Sequence, residues 1–447
     1  MESMVVKEKS LTCWLDYILS IHPAEIDMGL ERVTSVAERM SLLHLTNGKN
    51  LAPKIITVAG TNGKGTTCTM LEQILLASGL RVGVYSSPHI LKFNERVRID
   101  LKNVLDCKLV EAFNAIELAR KNTSLTFFEF ATLAALYVFK LEKLDVIILE
   151  VGLGGRLDAT NMIDADVSVI TAIGVDHQNY LGDTRELIGL EKAGIFRTNK
   201  LAIIGEPDLP NSVVNYAKEQ QVPLYSVGKD FNYKKNKDGW QFTGAKFSFN
   251  ELCIPRLPLA NAATVLAILE QLRSSVWSGL SESDCQRFID VGLSKAYLEG
   301  RFEKINESPN VYLDVAHNPH AAKYLASQLY GIKAKLKNGR LFALCGMLKD
   351  KDIKGVFNEV MPCVDKWFLT GLDCERGANI ELIEHEFLSV ESKFRFDDIR
   401  STTSYQAHKS IDDAWHALKL QINADDVVIV FGSFYTVSGA KLLMNRK

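Results

Sequence analysis

Short apolar runs separated by polar or amphipathic stretches recur along the first half of the chain, at residues 55–59, 82–85, 146–149, 167–173 and 201–204. They predict parallel strands buried on both faces, which carry continuous rather than alternating apolar residues. Between the first two, residues 66–78 place Met70, Leu71, Ile74 and Leu75 at helical spacing and end at Gly79, which makes a strand, helix, strand crossover. From 230 to 257 the pattern changes to alternating polar and aromatic residues with turn signals at Gly239 and Gly244, predicting antiparallel hairpins appended to the sheet. A helix is expected over 261–272. A second series of apolar runs, at 311–315, 341–344, 367–370 and 427–431, predicts a smaller Rossmann-like α/β domain. The boundary is placed near residue 298, giving an N-terminal domain over 1–298, built on a P-loop-type mostly parallel sheet, and a C-terminal domain over 299–447. No linker rich in Pro, Gly or Ser marks it, and no internal repeat or low-complexity tract is evident.

Composition narrows the class of protein without choosing a function. The 447 residues are 47% hydrophobic and 24% charged, the usage of a folded globular chain long enough for two or three domains. Lys and Arg total 52 against 54 Asp and Glu, a net charge of -2. No global attraction to nucleic acid or anionic membrane follows, so any anion site must be local. The longest apolar stretches, such as 131–139, fall far short of the roughly 18 residues of a membrane span. Residues 1–14 lack the apolar middle of a secretory signal, and a cytoplasmic location is expected. The eight cysteines are scattered with no C-x-x-C pair, so most are expected to be buried small hydrophobes.

The strongest chemical signal is Gly60-Thr61-Asn62-Gly63-Lys64-Gly65-Thr66-Thr67, between a predicted strand and a predicted helix. Glycines let backbone N–H groups turn toward an anion, the helix end adds its dipole, and Lys64 adds a fixed charge. Thr66 or Thr67 can then reach a metal or phosphate oxygen. The string departs from G-x-x-x-x-G-K-[ST]: Val58 stands where the first glycine would be, and Gly65 follows the lysine. Three further strand ends carry polar groups to the same edge of the sheet. Ser86-Ser87-Pro88-His89 follows 82–85; Glu150 ends 146–149 and precedes the glycine-rich 152–161; Asp176-His177 follows 167–173. A carboxylate at such an end faces the crevice where α/β sheets bind ligands, and can hold magnesium. Taken alone, a solvated acid, a capped turn and a packing histidine explain the same residues. The 152–157 glycines do not make a dinucleotide fingerprint, because Leu157 occupies the third glycine position. Lys192 by itself reads as a solvated helix charge. In the second domain, Asp314-Val315-Ala316-His317-Asn318-Pro319 repeats the acid and histidine pattern, with capping of the next helix as the plain alternative. The run 349–352 reads as a solvated loop.

Taken in order, the strings 60–67, 85–89, 149–161, 191–197, 300–302 and 314–319 resemble the folylpolyglutamate synthase/dihydrofolate synthase family over nearly the whole chain. The related Mur ligases share the phosphate loop but not the 152–161 string. The resemblance implies an ATP-dependent ligase that joins L-glutamate to dihydropteroate and to tetrahydrofolates through an acyl phosphate. It implies Thr61, Asn62, Gly63, Lys64, Gly65 and Thr66 on the ATP phosphates, and Asn261, Arg301 and Asp314 as further ATP contacts. Ser87 and Glu150 would hold one magnesium and His177 the second, with a monovalent cation as a further component. Lys192 matches the position at which the family carries a carbamylated lysine, and His317 would lie on the glutamate side of an interdomain cleft. Pterin contacts would come from Asp27-Met28-Gly29, from Thr126-Phe127-Phe128-Glu129 and from Leu157-Asp158-Ala159. Phe127 or Phe128 would pack on the ring, and Asp27 or Asp158 would accept its N–H groups. Arg156-Leu157-Asp158 is similar to the bacterial bifunctional members. Glu299 departs from the proline that relatives often carry there, which puts the stiffness of the hinge in question. A monomer is expected, with no nucleic acid or membrane partner. Two rival readings are a Mur-type cell-wall amino acid ligase and a non-catalytic P-loop switch; the second lacks an N-K-x-D string and leaves Asp314 and His317 without a task.

Overall fold

The computed structural model describes residues 9–22, 24, 26–45, 53–396 and 404–445. The chain divides into two compact units, Met1–Tyr297 and Leu298–Lys447.

The first unit is built on strands β1 (Lys54–Ala59), β2 (Val82–Tyr85), β3 (Val97–Ile99), β4 (Lys102–Asn103), β5 (Val146–Glu150), β6 (Val167–Ile170), β7 (Leu201–Ile204) and β8 (Leu224–Ser226). They form one sheet in the order β4-β3-β2-β5-β1-β6-β7-β8. The six strands from β2 to β8 in that order run parallel, and β3 and β4 add an antiparallel edge. Central strands are buried on both faces because side chains alternate. Ile55, Ile147 and Leu149 join a cluster with Trp14, Phe113, Phe130 and Phe139 from helices Leu11–Ser20, Asp106–Arg120 and Phe127–Leu141. Helix Lys64–Ala77 packs on β1, β2 and β5 and on helices Leu259–Val276 and Glu282–Lys295. A Cβ added at Gly292 would stand 2.6 Å from Ile74 Cα, so only glycine permits that helix approach.

Three details depart from the periodicity. The strand expected over 167–173 ends at Ile170, because residues 171–174 leave the sheet to hold the 60–63 loop, as described below. The helix expected from 66 begins at Lys64. The hairpins β9 (Asn232–Lys235), β10 (Trp240–Thr243) and β11 (Ser248–Leu252) are not appended to the large sheet but make their own, in the order β11-β10-β9. Their inner face buries Trp240, Phe242 and Phe249, leaving no apolar surface to require pairing with the large sheet.

The second unit carries β12 (Glu303–Glu307), β13 (Asn310–Asp314), β14 (Leu341–Cys345), β15 (Lys366–Thr370), β16 (Ser404–His408) and β17 (Val427–Phe431), in the order β12-β13-β17-β14-β15-β16. All pair in parallel except β12 with β13.

Two expectations about single residues need correction. Cys68, Cys285, Cys345 and Cys363 are buried, but Cys13 and Cys107 are exposed and Cys253 and Cys374 are intermediate, so burial is the rule for only half of the eight. The run 349–352 is less solvated than its charge suggests. Asp350 pairs with Arg376 at 2.9 Å, Asp352 caps helix Ile353–Val360 through the Gly355 N–H, and the Lys351 side chain is almost fully covered. Among the described residues no helix is long and apolar enough to cross a membrane.

Candidate active site

The loop between β1 and helix Lys64–Ala77 is shaped from outside. Thr61 donates its N–H to Ala172 O at 2.8 Å and its hydroxyl to Gly174 O at 2.9 Å, while the Thr171 hydroxyl donates to Asn62 O at 2.6 Å. A Cβ at Gly60 would stand 2.0 Å from Thr171 Oγ1, so the clamp demands glycine. Gly63, at φ 86°, is the helix N-cap and has no side chain to close the helix end. The first-turn N–H groups and the dipole are thereby turned toward the loop, the arrangement that binds a phosphate. Lys64 folds its ammonium back onto Gly60 O at 2.8 Å. The Thr66 hydroxyl donates to Gly63 O at 3.0 Å and accepts from Asn261 Nδ2 at 2.7 Å. The Asn261 amide also lies against Gly63, within 2.9 Å of where a Cβ would stand. Thr61, Asn62, Gly63, Lys64, Thr66 and Asn261 thus meet in one loop, although about 200 residues of chain separate the last from the rest.

Beside this loop the ends of β2, β5 and β6 lie at the same edge, since β2, β5, β1 and β6 are parallel neighbours. Glu150 is buried, and its Oε2 accepts the Ser87 N–H at 3.2 Å. His177 lies seven residues beyond the observed end of β6, half-buried, with φ 52° at the start of the short helix Gln178–Leu181. Among the described residues no three His, Cys, Asp or Glu side chains gather into a ready-made cage. Magnesium takes one or two protein carboxylates and fills its shell with phosphate oxygens and water. Glu150 offers a carboxylate and Ser87 a hydroxyl of that hard-oxygen kind, and His177 adds an imidazole nitrogen, a softer donor.

Lys192 corrects its sequence reading outright. On helix Arg185–Ala193 it is 3% exposed, not solvated. Burial, and then the neighbouring charge of Lys64, lowers its pKa to about 7 from the ordinary lysine value near 10.5. The glycine-rich loop after β5 packs on this helix. A Cβ at Gly155 would stand 2.7 Å from Glu191 O and 3.0 Å from Lys192 Cα, and Arg156 pairs with Glu191 at 2.8 Å.

The three strings expected around a pterin also come together. The Asp158 carboxylate is buried and accepts from the N–H groups of Gly152, Leu153 and Thr160 and from the Thr160 hydroxyl, fixing the loop that carries Leu157 and Ala159. Burial raises its pKa, and those four hydrogen bonds oppose the rise. Phe128 lies over Gly152, whose Cβ would meet the ring at 2.5 Å, and beside Tyr85. Phe127 packs edge-on against Phe93, with the Arg96 guanidinium 5.3 Å from its ring centre. Thr126 and Glu129 form a reciprocal cap: the Thr126 hydroxyl accepts the Glu129 N–H, and Glu129 Oε2 accepts the Thr126 N–H at 2.7 Å. Met28 reaches the same loop, its Cε 3.4 Å from a Cβ position on Gly154. No atom lies within 4 Å of a Cβ built on Gly29.

In the second unit, Phe302 donates its N–H to Asp314 Oδ2 at 2.9 Å and Val315 donates to Gly300 O at 2.9 Å, joining the 300–302 and 314–317 strings. Burial raises the Asp314 pKa, and the Arg301 charge is the largest opposing influence. Arg301 and His317 both flank the Phe434 ring, at 5.9 and 6.5 Å. Glu299, the departure at the hinge, is ion-paired to Lys441, which also holds Glu303 at 2.9 Å. Sequence reasoning missed Arg32, Arg96 and Phe434. Only proximity in the fold singles them out, since Arg32 and Arg96 stand in no phosphate-loop or strand-end pattern and Phe434, just past β17, is an apolar residue.

A Mur ligase middle domain model matches residues 58–255, and a Mur ligase glutamate ligase domain model matches residues 300–434. The fold and the phosphate loop therefore belong to the Mur-type ligases. The Escherichia coli (strain K12) dihydrofolate synthase/folylpolyglutamate synthase is 46% identical over 96% of this chain and 94% of its own. The protein of that description from Haemophilus influenzae is 44% identical over 98% of both chains. Among solved structures, E. coli FolC in complex with DHPP and ADP matches with a TM-score of 0.88 at 43% identity over 98% of both chains. A bifunctional folylpolyglutamate synthase/dihydrofolate synthase complexed with AMPPNP and Mn ion from Yersinia pestis matches with a TM-score of 0.84 at 44% identity, again over 98% of both. This chain belongs to the dihydrofolate synthase/folylpolyglutamate synthase family.

Proposed function

We propose that this enzyme adds L-glutamate to 7,8-dihydropteroate and to tetrahydrofolates, consuming ATP. The observation that carries the reading is the uncapped, glycine-bounded helix end at Lys64, beside the three strand ends that present Ser87, Glu150 and His177. It is supported by similarity to proteins crystallised with ADP and DHPP, and with Mn, AMPPNP and L-glutamate.

A carboxylate resists an amine because it is anionic and offers no good leaving group. Transfer of the terminal phosphoryl group of ATP to a carboxylate oxygen makes an acyl phosphate, with ADP leaving. The neutral amine of glutamate then attacks the carbonyl carbon, and phosphate departs as the amide forms. The amides of the 61–66 loop and the Lys64 ammonium stabilise charge on the transferring group. Asn261, holding Thr66, keeps the loop in register. Arg301 and Asp314 are assigned to the nucleotide and His317 to glutamate, as the family resemblance implies. Asp27-Met28-Gly29, the Thr126–Glu129 cap with Phe127 and Phe128, and the loop of Leu157, Asp158 and Ala159 form the acceptor pocket. Two magnesium ions, one on Ser87 and Glu150 and one on His177 with a carbamylated Lys192, would neutralise phosphate charge when bound; no residue is assigned to a monovalent cation.

Mixing the protein with ATP, glutamate and dihydropteroate should release phosphate only when all three are present, with a product heavier by one glutamyl unit. Hydrolysis indifferent to acceptor and glutamate would instead indicate a nucleotide switch, and turnover of a UDP-sugar acceptor a cell-wall ligase. His177→Ala is expected to shift the magnesium titration of that reaction to higher concentration with little change in the saturated KM for dihydropteroate. An unchanged titration removes His177 from the metal site.

A further inference from the structure

We propose that Arg32, which no motif of the active site includes, is a positioning residue that holds the acceptor pocket together. This rests on the acceptor pocket proposed above. Arg32 stands in the first turn of helix Glu31–Arg39, which packs on helix Phe127–Leu141 and on the single turn Ala159–Met162. Its guanidinium grips Asp27 twice: Nη1 meets the carboxylate at 2.7 Å and Nη2 donates to the main-chain oxygen at 2.8 Å. On its other side Nη2 lies 3.3 Å from Glu129 Oε1.

The two acids differ in a way that makes Arg32 more than a surface ion pair. Glu129 is 4% exposed on its side chain; one oxygen is used in the Thr126 cap, and the other is buried with no hydrogen bond of its own. Arg32 is the cation facing that second oxygen, and its own Nε is likewise buried without a partner. A planar fork reaching two carboxylates and a carbonyl does what a point charge cannot. The loop it closes, 27–31, carries Met28 toward Gly154 and leaves open space before Gly29. Without Arg32 the 27–29 segment loses its side-chain tie to Glu129 on the helix that carries Phe127 and Phe128, while Asp27 keeps its 3.5 Å contact to His22. Acceptor binding must then order that segment, while the phosphate loop, held by residues 171–174 and Asn261, is unaffected.

The test is a set of three KM values, for dihydropteroate, ATP and glutamate, on wild type, Arg32→Gln and Arg32→Lys, with thermal melting of each. Arg32→Gln should raise the KM for dihydropteroate by about tenfold and leave that for ATP within about twofold, the signature of lost binding confined to one substrate. Arg32→Lys keeps a charge but not the fork, and should still raise it several-fold. Wild-type turnover of dihydropteroate is the control for the pocket; if it is absent, the acceptor reading falls and this proposal with it. If wild type turns over, three KM values rising together, or a dihydropteroate KM unchanged in Arg32→Gln, overturn the role of Arg32 alone. Should Arg32→Gln fail to melt cooperatively, Arg32→Lys decides, and a wild-type KM there overturns the proposal.

Discussion

Lys64→Ala is expected to lower kcat by about a thousandfold, roughly 4 kcal/mol of transition-state stabilisation, with the fold intact. The lysine sits at the first residue of helix Lys64–Ala77, its ammonium 2.8 Å from Gly60 O. That bond bends the side chain over the concave side of the loop, so the charge is in place before nucleotide arrives and costs little reorganisation when negative charge moves off the terminal phosphoryl group. The fold should survive because the loop has other supports: Thr61 on Ala172 and Gly174, Thr171 on Asn62, and Asn261 on Thr66. Single-turnover phosphate release and a thermal melt check both halves. Near-normal rates would refute the assignment. A collapsed melt would show that Lys64 braces the loop rather than serving the phosphate. Lys64→Arg should recover only part of the rate, since a planar fork does not replace a compact ammonium at a site bounded by glycines.

The parts of the fold that were legible are those in which a local pattern and its tertiary role coincide. Strands β1, β2, β5 and β7 are largely buried on both faces, so each stands as a mostly apolar run, and the loop after β1 carries its own glycines and lysine. Strand β6 was overextended because Thr171, Ala172 and Ile173 look like more strand. Instead Thr171 and the Ala172 carbonyl hold the 60–63 loop and Ile173 packs in a separate apolar cluster, which periodicity does not record. The edge strands β4 and β8, and β3 next to the edge, are two or three residues long and leave no pattern. At the site, strand-end acids and histidines were visible as types at positions. The state of Lys192 was not, because its neighbours in sequence, Glu191 and Ala193, do not reveal that Gly155 closes over its backbone. Arg32 was invisible for the same reason: its meaning lies in Glu129, almost 100 residues away.

The second large effect concerns that buried lysine. Lys192→Ala is expected to lower turnover by two or more orders of magnitude, and a small carboxylic acid added to the assay should restore a measurable fraction of it. Burial and the nearby Lys64 charge lower its pKa to about 7. Only a neutral amine adds to carbon dioxide, and burial together with Lys64 makes Lys192 neutral where an exposed lysine would be almost wholly charged. The neutral amine nitrogen bonds to the carbon of carbon dioxide and gives up one proton to solvent, leaving an anionic oxygen donor near the Lys64 cation, so the influence that lowers the amine pKa then favours the carbamate. Above pH 7 the amine is mainly neutral and the modification should form; below pH 7 the ammonium dominates and it should be lost, with activity, in buffer freed of bicarbonate. Intact mass measured without acid should show bound carbon dioxide on wild type and none on Lys192→Ala. Lys64→Ala offers an independent check, because removing that cation returns Lys192 toward its ammonium form, and this variant should need more bicarbonate to carry the same added mass. If wild type carries no such mass at any bicarbonate concentration and no acid rescues Lys192→Ala, Lys192 acts as a buried amine and not as a carbamate.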